Sequence, residues 1–472
     1  MKHLVHGFFC GAVAFAPPRT HLRSAGGRRF VPPPAAALDA LLGGGLAATF
    51  GVAATSLEVA PTSFEVAATS LEVATSPLAQ TADDVAGAFF GASLFPWLAM
   101  LYWLGHSKVQ APEGVQFGLQ FLLVFVFASI PAAIFSGLLY GVSLADCDYL
   151  HGSAESLLAI TNCVLVLGFR DALASRTGAG RLQKVASALG ALALASALAA
   201  GLSGAQVHTP WLGLPSPQLP GWAEPANALS IPTWVIHTSS LVEWLVAMGL
   251  CWRYAAVSEE PKWKGVTWGM LPLHTSGIIA CTYHLFYNDA ALAWCVALQA
   301  ACTCLGNTTL AFAVYRLAAA KGWDWGDLKS DAMSWLPSDE GAQGSFGNGG
   351  AAARGDALLR TAAFSADAGG PAAFSADASS AVALVGWEDL GDAWAEDDDD
   401  AFVVKLAALS IWLAVAVKYA PALIPASVEQ GFRALGPEAL VLAAAAVIAV
   451  PTALNVAKWQ SRSADDADDF DF

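Results

Sequence analysis

Nine uninterrupted apolar runs dominate this chain. Seven lie at 85–104, 115–141, 156–173, 184–203, 231–252, 265–287 and 291–317, and two more at 402–422 and 437–457. A helix of about 20 apolar residues spans the hydrocarbon core of a bilayer. Inside lipid only helices or closed barrels satisfy every backbone N–H and C=O. The runs are continuous and lack the apolar–polar alternation of a barrel strand. They predict an all-α fold, a polytopic transmembrane helical bundle of about nine helices, with the lipid bilayer as its first partner. Charged residues make up 13 % of the 472, roughly half their share in soluble domains. That excludes an ordinary soluble protein.

The net charge of −16 is concentrated in two places. Residues 322–400 hold 16 acids and 3 bases, and residues 458–472 hold 5 acids and 2 bases. The rest of the chain is balanced and has no basic patch, so nucleic acid is not an expected partner. The segment 322–400 is rich in Gly, Ala, Asp and Ser and repeats AAFSADA at 362–368 and 372–378. It has too little apolar surface to offset the entropy of ordering, which predicts a disordered acidic insert. Trp323, Trp325, Trp335, Trp387 and Trp394 are its candidate docking anchors. The loops give an orientation. Lys108, then Arg170, Arg176, Arg181 and Lys184, then Arg253, Lys262 and Lys264, then Arg316 and Lys321 follow the odd-numbered spans, whereas the loops after the second, fourth and sixth have no Lys or Arg. By the positive-inside rule the basic ends, the insert and the C-terminus share one side.

Residues 1–14 have a basic start, a short apolar run and Ala12-Val13-Ala14 before Phe15, and Arg19, Arg23, Arg28 and Arg29 follow with no acid before Asp39. This resembles the signal-plus-transit presequence of algae with secondary plastids, in which a Phe marks the cleavage point. It implies a signal peptide at 1–14 and a transit peptide at 15–50. In a plastid the positive side is the stroma. The stretch 40–54 reads equally as a removed thylakoid-transfer segment or an extra helix. The repeats ATSLEVA, PTSFEVA and ATSLEVA lie in a low-complexity spacer, 51–84. After it come a four-helix module at 85–203, a lumenal loop at 204–230, a three-helix module at 231–318, the insert, a helix pair at 402–457 and an acidic tail at 458–472.

Ionisable residues inside spans are costly and are functional candidates. The third span opens with His151 and Glu155, the fifth carries His237 and Glu243, and the sixth carries His274 and His284. At 1.5 Å per residue, His237 and His284 lie roughly 5–9 Å below the lumenal surface, and Glu243 and His274 about 18–20 Å deep. Depth therefore pairs His237 with His284 and Glu243 with His274. His274, Cys281 and His284 fall within a sector of about 80° on one helix. Three readings stand. The imidazoles are axial ligands of haem iron or chlorophyll magnesium; or Glu155, Glu243 and His274 relay protons for a coupled transporter; or these groups only hold helices together. Lys405 and Lys418, near opposite ends of the eighth span, can snorkel to the interface. The eight cysteines contain no C-x-x-C pair, and Walker A, H-E-x-x-H, G-x-S-x-G and dinucleotide signatures are missing. No catalytic residue and no metal site are expected from spacing.

Two segments resemble known families. His237-Thr-Ser-Ser-Leu-Val-Glu243-Trp, Lys262-Trp-Lys-Gly-Val-Thr-Trp-Gly-Met-Leu-Pro-Leu-His274-Thr-Ser-Gly and Thr282-Tyr-His284, within 233–288, resemble the family of hypothetical chloroplast reading frame forty-nine. Ser93-Leu-Phe-Pro-Trp, His151-Gly-Ser-Ala-Glu155-Ser and Gly168-Phe-Arg170, within 88–173, resemble a second cyanobacterial and plastid membrane family. The resemblance implies a photosynthetic membrane, most directly the thylakoid. It supplies no activity, substrate or functional residue. The expectation is a non-enzymatic biogenesis or accessory factor for photosynthetic complexes, with a proton-coupled carrier and a pure scaffold as alternatives.

Overall fold

The computed structural model describes residues 77–225, 227–335, 386–424 and 435–465. The presequence, the stretch 40–54, the heptapeptide repeats, the centre of the insert and the end of the acidic tail lie outside the described residues. The helices are α1 Pro77–Leu104, α2 Glu113–Tyr140, α3 Asp148–Leu173, α4 Ala179–Leu202, α5 Ile231–Val257, α6 Trp263–Leu285, α7 Trp294–Ala320, α8 Trp325–Trp335, α9 Leu390–Ala393, α10 Asp399–Tyr419 and α11 Pro437–Asp465. No strand occurs among the described residues. The described residues fall into two units, 323–335 in one and every long helix in the other. In the first, the described part is Trp323 and the helix α8, and the Trp323 and Trp325 rings meet edge-on at 5.3 Å.

All nine predicted spans are helical. Eight long helices have the length and apolarity to cross a membrane. The ninth, α6, is 23 residues long but more polar, and it packs against α5, α7 and α11. Helix α3 starts at Asp148, eight residues before its apolar run, so His151 and Glu155 lie inside its first turns. The bundle has an inner and an outer layer. The apolar windows of α3 and α5 are 67 % buried within the protein, against 6 % for α2, 17 % for α4 and 11 % for α11. On the outer helices Ile130, Leu138, Leu192, Leu198, Trp412 and Leu454 are exposed. Water-soluble monomers rarely show so much contiguous apolar surface, whereas lipid tails cover it without cost.

Small residues set the closest crossing. A Cβ at Gly168 of α3 would lie 2.6 Å from the Gly114 carbonyl carbon and 2.7 Å from the Val115 nitrogen of α2. In lipid no hydrophobic force joins two helices, so close backbone approach supplies the contact.

The ends of the insert depart from the expectation of disorder. Residues Trp325–Trp335 form α8, and within the helical bundle's own unit a single helical turn at Trp387–Asp389 and the short α9 lie across its basic end. Opposite charge explains this better than composition does. Asp399 meets Arg176 at 2.9 Å and Arg170 at 3.5 Å, and also bonds Arg181. Glu388 pairs with Lys458, Asp389 with Arg462, and Asp392 with Arg253. Arg170 also donates to the carbonyls of Trp394 and Asp397, at 3.1 and 2.7 Å, and lies 4.1 Å over the Phe402 ring. The first residues of the acidic tail continue α11, which places Lys458 and Arg462 in this network. Glycine makes the seat: a Cβ at Gly249 of α5 would strike the Glu388 carbonyl.

Burial pushes the Asp389 carboxyl up, but the Arg462 hydrogen bond and the charges of Arg462 and Lys458 outweigh it and hold it below 3.8. A carboxyl lowered on folding adds stability above its unfolded value, and this is lost as pH falls through the folded value. The protection factors of the amides at 386–393, that is their exchange relative to the intrinsic rate at each pH, are therefore expected to fall as pH drops below the ordinary carboxylate range. Asp389→Asn should exchange faster already at neutral pH and respond less to acid; an unchanged profile in that variant would contradict the assignment.

At the opposite end Lys418 does not snorkel. It is 3 % exposed and donates to Glu224 and to the Leu229 carbonyl, each at 2.6 Å. The loop between α4 and α5 brings both acceptors to it. Lys405 pairs with Asp397 at 2.6 Å on the basic side.

Candidate functional site: a buried histidine triangle

The site forms where α3, α5 and α6 meet, at the end of the bundle away from the basic residues. The start of α3 is tied down by Asp148, whose carboxylate accepts from the Trp211 N–H at 2.8 Å and the Ser230 N–H at 3.1 Å. One side chain thus joins the first turn of α3, the long loop and the start of α5. Gly152 lets the helices close: a Cβ there would lie 2.7 Å from Thr233 Oγ1 and 2.7 Å from the Trp211 ring. Any larger residue would separate α3 from α5, and with them His151 from His237.

Three imidazoles result. The ring centroids of His151, His237 and His284 are each 4.9 Å from the other two. The three are 5–6 % exposed. One nitrogen from each lies within 4.8 Å of the others. His237 and His284 meet as their depth predicts, and His151 is the third corner that depth counting missed. It precedes the third apolar run, and nothing in the sequence says that α3 neighbours α5 at this end. A local signal was present in Gly152, beside His151, and in Asn288, four residues after His284.

Two corners are held from outside. His284 Nδ1 lies 2.9 Å from Asn288 Oδ1. The Asn288 amide donates onward to the Ala145 carbonyl at 3.2 Å and to Asp146 Oδ1 at 2.7 Å. Its backbone is left-handed, φ 55°, which Asn tolerates better than most residues. His151 Nδ1 lies 3.4 Å from the Ala145 carbonyl. Both outer partners are oxygens, so each Nδ1 carries the proton and each Nε2 keeps its lone pair. His237 Nε2 is buried and has no hydrogen-bond partner among the described residues.

The remaining candidates are spread out. Glu155 Oε1 lies 3.9 Å from His151 Nε2 and borders the triangle. The expected Glu243–His274 pair does not form. His274 Nδ1 meets the Asn455 amide of α11 at 3.2 Å, and Glu243 lies beside Ser239, one turn earlier on its own helix, whose hydroxyl donates to the Ile236 carbonyl at 3.3 Å. Depth along the membrane normal is not direction around the helix, and α11 fills the space beside His274. Cys281 packs instead with Leu229, Trp234 and Ala414, so His274, Cys281 and His284 do not act as one face. Glu243 Oε2 and His274 Nε2 are buried without hydrogen-bond partners among the described residues.

Chemically, the triangle offers directional imidazole lone pairs of intermediate softness in a buried place. It has no room for a tetrapyrrole between its members. A macrocycle held between two of these rings would have to pass through the third, 4.9 Å from both.

Comparison with known proteins places this site in context. Residues 86–174 match a family described as a protein of unknown function, DUF3593, and residues 228–316 match another, DUF2499. A Ycf49-like protein of Synechocystis is 48 % identical over 96 residues, 20 % of this chain and 92 % of that protein. A ycf49 protein of Cyanophora paradoxa is 31 % identical over 88 residues, 19 % of this chain and 86 % of that protein. No solved structure matches the chain. His151 falls in the first matched region and His237 and His284 in the second, so the triangle needs both.

Proposed function

The chain belongs to the Ycf49-like family, and on that premise we propose that it is an integral plastid-membrane protein, most directly of the thylakoid, serving photosynthetic complexes as a non-enzymatic biogenesis or accessory factor. The presequence and the basic ends support a stromal insert and C-terminus and a lumenal histidine triangle. The observation that carries the reading is the joint site. Two regions that match separate families are fused here and complete one buried polar centre, with lipid-facing helices around it. A protein that only spanned a membrane would have no use for three buried imidazoles, which are costly there.

Disrupting the gene tests the function. Photosystem levels per cell should fall and recover on complementation. Unchanged photosystem levels would contradict the accessory role.

A second reading, proton-coupled transport, is favoured by Glu243 Oε2 and His274 Nε2, which are buried and without hydrogen-bond partners among the described residues. It predicts that in proteoliposomes Glu243→Gln keeps the fold and abolishes proton-linked uptake. Uptake equal to wild type would remove Glu243 from any such mechanism.

A further inference from the structure

We propose that His151, His237 and His284 hold a divalent first-row transition-metal ion, with Glu155 bordering the site beside His151. The inference goes beyond the accessory role and does not depend on it.

Four observations carry it. The first is convergence. Nitrogens from three helices lie within 4.8 Å of one another. A four-coordinate ion with bonds of about 2.0–2.1 Å sets its nitrogens about 3.3 Å apart, so each ring moves inward by under about 1 Å on binding. The second is protonation. His284 and His151 each direct a protonated Nδ1 at an oxygen, Asn288 Oδ1 and the Ala145 carbonyl, so their Nε2 lone pairs are free. Metal-bound histidines are commonly fixed in this way, through the ring nitrogen that does not bind. The third is the orphan. His237 Nε2 is buried with no hydrogen-bond partner among the described residues, and a buried polar atom left so costs free energy. A metal satisfies it together with the other two.

The fourth is charge. Three neutral imidazoles cannot by themselves balance a divalent ion in an apolar interior. Glu155, 3.9 Å from His151, supplies a carboxylate beside the ring, and Asp146 supplies a second through Asn288. Imidazole nitrogen favours zinc, iron, copper or nickel, whereas magnesium and calcium need sets of oxygens. Sequence spacing hides the site because its ligands come from three helices and two separately matched regions.

Cobalt titration of the full chain in lipid nanodiscs, stripped beforehand with chelator, tests this. Wild type should bind one equivalent of Co2+ with visible ligand-field bands, displaced by Zn2+ and not by excess Mg2+ or Ca2+. His237→Ala and His284→Ala should lose the bands. Asn288→Ala leaves all three ligands in place and should weaken binding 10–100-fold. His208→Ala, in the exposed part of the neighbouring loop, should bind as wild type. If the ligand variants fail to fold, Asn288→Ala and the zinc-dependent rise in the melting temperature of wild type still decide the matter. Wild type that retains no cobalt, or binding unchanged by His237→Ala, His284→Ala and Asn288→Ala, overturns the proposal.

Discussion

Asp399→Ala should cost the detergent-solubilised protein about 3–5 kcal/mol of unfolding free energy. The reason is the burial of the partner left behind. Asp399 accepts hydrogen bonds from Arg176 and Arg181 and forms an ion pair with Arg170 at 3.5 Å, but Arg176 and Arg181 are 44 % and 56 % exposed and can turn to water. Arg170 is 6 % exposed and cannot. Its two carbonyl acceptors and the Phe402 ring remain, but none of these carries a full negative charge. Removing one partner of a buried pair leaves an uncompensated charge, which is far more damaging than losing an exposed pair. Asp392→Ala, which breaks the pair with Arg253 in which the side chains are 49 % and 43 % exposed, should cost under about 1 kcal/mol. Denaturant titration of both variants reads the difference. Equal costs would mean that the acidic end of the insert is not anchored through Arg170.

Gly168→Leu should cost about 3 kcal/mol, the upper part of the range for overpacking. The obstruction is backbone: the new Cβ would meet Gly114 and Val115 at 2.6–2.7 Å, and a backbone in a helix crossing cannot rotate away as a side chain can. The same change at Gly137 of α2 meets nothing within 4 Å and faces outward, so it should be close to neutral in lipid. Thermal unfolding in nanodiscs separates the two. A harmless Gly168→Leu would show that α2 and α3 do not cross where the structure puts them.

Most of the helical architecture was legible because membrane spans are written as length and apolarity, and both survive any tertiary arrangement. The ends of helices were less legible. The start of α3 carries Asp148, His151, Ser153, Glu155 and Ser156, and these polar residues lie inside a helix because the loop and α5 bury them. The insert was misread at its edges for a related reason. Its acids look like solvated charge when counted alone, and their arginine and lysine partners sit on helix ends far away in sequence. Lys418 looked free to reach the interface because Glu224 lies 194 residues earlier.

The candidate site was half legible. Depth along each helix is a sequence quantity, and it brought His237 and His284 together. Azimuth and neighbour choice are tertiary quantities. They added His151 to the triangle, gave His274 to Asn455, and left Glu243 with Ser239. Asn288 is the residue whose role was least visible, since only the tertiary fold shows that its amide links an imidazole to a carboxylate.

The most direct test of the histidine centre is X-ray absorption at the zinc edge of the full chain loaded with one equivalent of Zn2+. Three histidine nitrogens at about 2.0–2.1 Å, with the outer scattering pattern of imidazole rings, are the predicted shell. A sulfur shell at about 2.3 Å, or a shell of oxygens without imidazole scattering, would contradict it.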